Sequence, residues 1–168
     1  MVNIMNLSLT RKRGFPENEF EIRLSRAQEI LYHNKLDAIF VTAQANFRYF
    51  SGFDSQFWES PTRPWFIVVP IEGKPIAVVP EIGADAISNT WISNIETWPS
   101  PNPNDDGISL IISTINGLKR RFGRIGAELG REMSLRMPLV DYMKLTQNLD
   151  SEIVDASPAI WEMRMTKT

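Results

Sequence analysis

Apolar side chains recur along this chain with two spacings that alternate. Phe20, Leu24, Ala27 and Leu31 are separated by four, three and four positions, with charged side chains between them. This spacing predicts an amphipathic helix, because residues three and four apart share one helical face. The next apolar run, residues 37–42, lacks that spacing and is rich in β-formers, which predicts a buried strand.

The same reasoning predicts helices and strands in alternation to the end of the chain, interrupted by one hairpin. A turn sequence, Glu72-Gly73-Lys74, joins the two hairpin strands. Gly123 is expected to end the fourth helix, with the basic residues 119–121 in its last turn. Helices are predicted over 43–50, 82–91, 108–122, 138–148 and 158–165, and strands over 65–69, 75–79, 95–98, 124–128 and 152–155. This order predicts an α/β fold, a three-layer α/β/α sandwich around a mixed sheet.

Composition and charge exclude several classes of function. The 168 residues carry 18 basic and 20 acidic side chains, a net charge of −2, which favours neither nucleic acid nor an anionic membrane as a partner. The longest apolar run, residues 65–71, is far shorter than the ~20 residues that span a bilayer. Residues 1–9 lack the basic start and continuous apolar stretch of a secretory signal. The sequence therefore predicts a soluble, cytoplasmic protein.

Few side chains are available for catalysis. There is no cysteine, so disulfides, thiolate metal sites and cysteine nucleophiles are excluded. The single histidine, His33, excludes a multi-histidine metal site, and no partner nucleophile is visible for it. The acidic side chains are scattered, and none is paired with His33 at ligand spacing. We therefore predict no catalytic residue and no metal ligand in this chain.

One loop carries side chains suited to recognition. Phe57, Trp58 and Arg63 lie in the polar, proline-containing segment 54–64, just before Trp65 and its strand. Large aromatic rings beside an arginine can form a binding surface. Alternatively, the rings are partly buried beneath the loop and Arg63 forms a salt bridge. Composition alone favours this second interpretation.

Several short segments follow one another in the order of a known domain. Residues 20–23 and 36–39 resemble its opening, and residues 46–53 are similar to its Asn-x-x-Tyr-leucine-or-phenylalanine-small-Gly-aromatic stretch. Later matching segments are Arg63-Pro64, Gly73-Lys74-Pro75, residues 124–128 and an Arg-x-x-Lys hinge sequence at Met163-Arg164-Met165-Thr166-Lys167. Over residues 17–168 the chain therefore resembles the creatinase/prolidase N-terminal domain, a fold with a ribonuclease H-like motif.

The resemblance implies a domain organisation. Residues 1–16 would be an N-terminal tail, residues 17–160 the domain, and residues 161–168 the start of a hinge. In the family a "pita-bread" catalytic domain follows. It holds two divalent metal ions (Mn, Co or Zn) with carboxylates and one histidine, and hydrolyses the bond before proline in Xaa-Pro peptides. The chain would then be a non-catalytic N-terminal domain, cut before the half that makes the parent a hydrolase.

The resemblance also implies partners and site residues. Family members form homodimers in which this domain narrows the active-site entrance of the other subunit, through a loop equivalent to residues 52–63. Phe57, Trp58 and Arg63 would then bind a small peptide or amino-acid-derived substrate in trans, with Arg63 pairing to a carboxylate. Two alternatives stay open: a creatinase-like C–N hydrolase or lyase, and a peptidase-like module that binds proteins.

Overall fold

The computed structural model describes residues 14–59 and 63–165, which form six α-helices and six strands. Residues 1–13 of the predicted tail and residues 166–168 of the predicted hinge lie outside this part. The helices are α1 (Glu17–His33), α2 (Gln44–Ser51), α3 (Glu81–Ser88), α4 (Ile108–Asn116), α5 (Leu139–Asn148) and α6 (Ser157–Met165). The strands are β1 (Ala38–Val41), β2 (Phe66–Pro70), β3 (Ile76–Pro80), β4 (Asn94–Trp98), β5 (Arg124–Ala127) and β6 (Glu152–Asp155). A short 3-10 helix, Gln56–Glu59, lies in the segment predicted to be a loop.

The six strands form one mixed sheet in the order β4-β3-β2-β1-β5-β6. β2 pairs antiparallel with both β1 and β3, and the other neighbouring strands pair in parallel. The predicted hairpin is confirmed as β2–β3. Because β1, β5 and β6 are parallel neighbours, their carboxyl ends lie along the same edge of the sheet.

Two hydrophobic cores cover the two faces of the sheet. One core joins alternate strand residues, such as Ile39 and Val41, to α1, α2, α3 and α6. The other joins the intervening residues, such as Ala38 and Phe40, to α4 and α5. Helices therefore lie on both faces, which confirms the predicted three-layer α/β/α fold. Within the part of the chain that the structure describes, none of the helices has the length and apolar character to span a bilayer.

Helix α4 ends earlier than the sequence predicts, because a buried carboxylate binds the backbone of the segment that follows it. The helix ends at Asn116 rather than near Phe122, so residues 119–121 lie beyond its last turn and Gly123 does not terminate it. Asp37, only 2% exposed, accepts hydrogen bonds from the backbone N–H groups of residues 121, 122 and 123 at 2.9, 2.8 and 2.7 Å. These bonds fold the segment against the start of β1 instead of extending the helix.

Replacing Asp37 by asparagine should destabilise the fold. The amide keeps the size of the side chain but exchanges one acceptor oxygen for a donor that faces a backbone N–H. We expect the free energy of unfolding to fall by about 1–3 kcal/mol, measured by urea denaturation. Asp85→Asn, on the exposed surface of α3, is the matched control and should change it little. Equal effects of the two substitutions would contradict this role for Asp37.

Candidate functional site

Polar side chains converge where the parallel strands end. Thr42 directly follows β1, Glu128 directly follows β5, and Asp155 is the last residue of β6. In open α/β sheets, ligand sites are commonly formed outside the carboxyl ends of the strands. Because Thr42 comes just before α2 and Asp155 just before α6, both helices begin at this edge.

Glu128 is the centre of this edge. Its side chain is buried, with the residue only 1% exposed. One carboxylate oxygen accepts hydrogen bonds from Thr42 N, Thr42 Oγ1 and Ala43 N at 2.7, 3.0 and 3.0 Å. The other accepts one from Asn46 Nδ2 at 2.5 Å. Because these donors lie at the start of α2, a negative charge there also complements the helix dipole.

The same network continues to α6. Asn46 Oδ1 accepts a hydrogen bond from Arg164 Nη1 at 2.9 Å. Nearby, the hydroxyl of Tyr49 donates to the carbonyl oxygen of Met163 at 2.7 Å. Burial raises the pKa of Tyr49 above its ordinary value, so the hydroxyl keeps its proton and remains a donor. These two bonds fix the last turn of α6 against α2.

An aromatic cluster supports the segment that follows α2. Trp65 stacks on Phe53 and on Phe57, with ring centroids 5.2 and 5.4 Å apart. The Trp58 ring lies 6.1 Å from that of Trp65 and 5.1 Å from that of Phe47. Phe57 and Trp58, two of the three predicted site residues, thus lie in one aromatic cluster. Trp58 is half-buried, whereas Phe57 stays 39% exposed.

Arg63 is not part of that cluster. It is exposed and has a left-handed backbone conformation, with φ of 64°. Among the side chains described, it makes neither a ring contact nor an ion pair. The guanidinium that does contact the cluster belongs to Arg136, whose central carbon lies 5.1 Å from the Trp58 ring centroid. Burial lowers the pKa of Arg136 from its ordinary value.

Sequence reasoning missed the residues of the Glu128 network. Arg136 belongs to it as well, since its backbone N–H donates to Thr42 Oγ1 at 2.7 Å. The available signal was a carboxylate directly following the buried strand segment Ile125-Gly126-Ala127. A charged side chain beside such a segment requires several partners.

The outer face of α2 lines a cleft of about 480 Å³. Arg48 on α2 and Arg164 on α6 contribute to its wall, together with Arg23 and Tyr49. Asp54 lies at the boundary between this cleft and a shallower groove that extends toward Trp58. The surface above α2 is therefore concave on both sides of the ion pair between Arg48 and Asp54, whose closest atoms are 2.9 Å apart.

The described side chains do not form a metal site. No three histidine, aspartate or glutamate side chains among them converge as metal ligands would. The imidazole of His33 is largely exposed on the last turn of α1, 4.0 Å from the Glu29 carboxylate. These residues do not fit a two-metal centre, and no metal chemistry is assigned to them.

The sequence model of the creatinase/prolidase N-terminal domain matches residues 23–166. The chain belongs to this family. A search of curated proteins found no significant match.

Solved structures of the family share the fold of this domain. Dipeptidase PepE from Mycobacterium ulcerans is 19% identical with a TM-score of 0.68, and the match covers 92% of this chain and 39% of that one. A prolidase from Thermococcus sibiricus is 18% identical with a TM-score of 0.70, covering 89% and 38%. A proline dipeptidase structure from Streptococcus pneumoniae is 22% identical with a TM-score of 0.67, covering 86% and 98%. The chain thus spans less than half the length of the first two proteins.

Glu128→Gln should destabilise this creatinase/prolidase N-terminal domain. The amide group replaces one acceptor oxygen by a donor, and at least one of four hydrogen bonds to the carboxylate is lost. Because bonds to a charged acceptor are strong, we expect a loss of about 2–3 kcal/mol in the free energy of unfolding.

Urea denaturation measures this loss, and Glu132→Gln at an exposed position is the control. Amide hydrogen exchange should also accelerate in α2 and in the last turn of α6, which the network joins. A loss no larger than that of Glu132→Gln would contradict the central role of Glu128.

Proposed function

We propose that this chain is the non-catalytic N-terminal domain of an Xaa-Pro dipeptidase-like metallohydrolase. In this proposal it supports a homodimer and shapes the active-site entrance of the partner subunit. The observation that carries the proposal is the family match over residues 23–166. It is supported by dipeptidase and prolidase structures in which the same fold occupies 39% and 38% of the chain.

The segment after α2 has the properties that an entrance loop needs. Its base is anchored, because Phe53 and Phe57 stack on Trp65. Its outer side chains remain accessible, because Phe57 is 39% exposed and Arg63 is exposed. A planar guanidinium can bind a carboxylate through two parallel hydrogen bonds, and an aromatic ring can exclude water or pack on a proline ring. We assign these roles to Arg63, and to Phe57 and Trp58.

The chemistry would belong to a domain that follows the hinge. There, carboxylates and one histidine would hold two divalent metal ions, which supply an activated water for hydrolysis. The proposed hinge over residues 161–168 begins inside α6, whose last turn is fixed to α2 by Arg164 and Tyr49. The direction in which the following domain leaves would therefore depend on the Glu128 network.

Activity and metal content test the proposal. The chain alone should not hydrolyse Xaa-Pro dipeptides in the presence of Mn²⁺ and should bind no stoichiometric metal. The product of the complete reading frame should hydrolyse them and bind two metal ions per subunit. Hydrolysis of a non-peptide C–N bond instead would favour the creatinase-like alternative. Neither activity nor bound metal would favour a protein-binding module.

Arg63→Gln in the complete product should raise KM for Xaa-Pro dipeptides by about tenfold, with a smaller effect on kcat, because a charge-assisted hydrogen bond to substrate is lost. Glutamine keeps most of the side-chain length at this positive-φ position. Arg131→Gln, another exposed arginine, is the matched control. Unchanged KM in Arg63→Gln would remove Arg63 from the site.

Hybrid dimers distinguish action in trans from action in cis. One subunit carries a substitution that inactivates the metal site, so that the other subunit holds the single working site. Arg63→Gln placed on the inactive subunit should raise KM, whereas the same substitution on the active subunit should not. The reverse pattern would show that the loop serves its own subunit.

A further inference from the structure

The cleft beside α2 lies between three helices and is lined by cationic side chains. Arg23 comes from α1, Arg48 from the exposed face of α2, and Arg164 from the last turn of α6. Asp54 is the only acidic residue among the described residues that line it. Its volume of about 480 Å³ is within the range of small-molecule sites.

Two of these arginines have carboxylate partners among the residues that the structure describes. Arg23 Nε lies 2.9 Å from Glu19 Oε1, and Arg48 Nη1 lies 2.9 Å from Asp54 Oδ2. Arg164 instead donates through Nη1 to the neutral amide oxygen of Asn46. Among the described residues no carboxylate pairs with Arg164, and its enclosed Nε has no hydrogen-bond partner. Within the part of the chain that the structure describes, the cleft therefore retains one cation without a counter-charge.

The side chain of Arg164 is held in place before any ligand arrives. The Asn46 side-chain amide accepts a hydrogen bond from Arg164 at 2.9 Å and donates one to Glu128 at 2.5 Å. The buried carboxylate of Glu128 therefore orients the Asn46 amide, and this amide in turn orients the Arg164 guanidinium. A cation with restricted rotamers loses little entropy when it binds an anion. Nη1 donates one of its two N–H groups to Asn46, and Nε is enclosed by protein. The second N–H of Nη1 and the two of Nη2 therefore remain for a planar acceptor with two oxygens.

Aromatic side chains provide an apolar surface next to these cations. Phe15, Phe20 and Tyr49 line the cleft, and Phe15 is about half exposed. The Arg23 guanidinium lies 4.4 Å from the Phe15 ring centroid and 4.7 Å from that of Tyr49. A ligand with both an apolar part and an anionic end would contact the rings and Arg164 together.

We propose that this cleft binds a small carboxylate attached to an apolar body, with Arg164 as the principal anion-binding residue. The proposal does not depend on the hydrolase assignment, because every group involved belongs to this chain. Arg48 would contribute by turning partly from Asp54 toward the ligand. A carboxylate suits the site better than a phosphate because one planar guanidinium side is available and Asp54 opposes a second negative charge.

Titration of the ¹⁵N-labelled chain with N-acetyl-L-phenylalanine, followed by NMR, tests the proposal. The signals of Arg164 Nε and of the backbone amides of Tyr49 and Gly52 should shift and saturate. N-acetyl-L-phenylalaninamide, which has the same ring but no charge, should not bind. Phenyl phosphate should bind more weakly than the carboxylate. Saturable binding of the neutral amide, or tighter binding of the phosphate, would overturn the assignment.

Three substitutions separate the anion site from general surface binding. Arg164→Gln should weaken binding by about tenfold, since a charge-assisted bond is lost. Asp54→Asn, an exposed change that should not disturb folding, should tighten binding by about threefold because it removes the opposing charge. Arg131 does not line the cleft, so Arg131→Gln should leave the affinity for N-acetyl-L-phenylalanine unchanged. Unaltered affinity in Asp54→Asn, or no saturable binding to the unsubstituted chain, would overturn the proposal.

Discussion

The buried carboxylate of Glu128 is the interaction on which the rest of the site depends. A charge enclosed at the end of a central strand is stable only if hydrogen bonds replace the water it has lost. Here four donors do so, three from Thr42 and Ala43 and one from Asn46. The requirement to satisfy Glu128 thus sets the position of α2 relative to the sheet.

Two surfaces follow from this constraint. Through Asn46 the network orients Arg164, which leaves a fixed guanidinium in the cleft between α1, α2 and α6. On the other side of α2, the chain passes through Phe53 and the 3-10 helix Gln56–Glu59 onto the Trp65 cluster. Glu128 therefore holds the start of the helix that lines the cleft and precedes the loop that we propose faces a second subunit.

Local sequence patterns predicted the order of helices and strands. They could not predict contacts between residues that are far apart in the sequence. The apolar spacing of α1 and the buried runs of the strands are local properties, so the layered fold followed from them. The predicted end of α4 was wrong because Asp37 binds backbone N–H groups that lie 84 to 86 positions later in the sequence. The Glu128 network was missed for the same reason, since its partners lie 82 to 86 positions away. The sequence grouped Phe57 with Trp58 but could not predict which ring stays exposed.

The proposed role of this domain is to present its loop to the active site of a second subunit. A structure of the complete reading-frame product with a bound Xaa-Pro dipeptide analogue tests it most directly. The account predicts a homodimer in which Arg63 or Phe57 of one subunit lies within contact distance of the analogue in the other. A monomer, or a dimer whose loops face solvent away from both analogues, would contradict it.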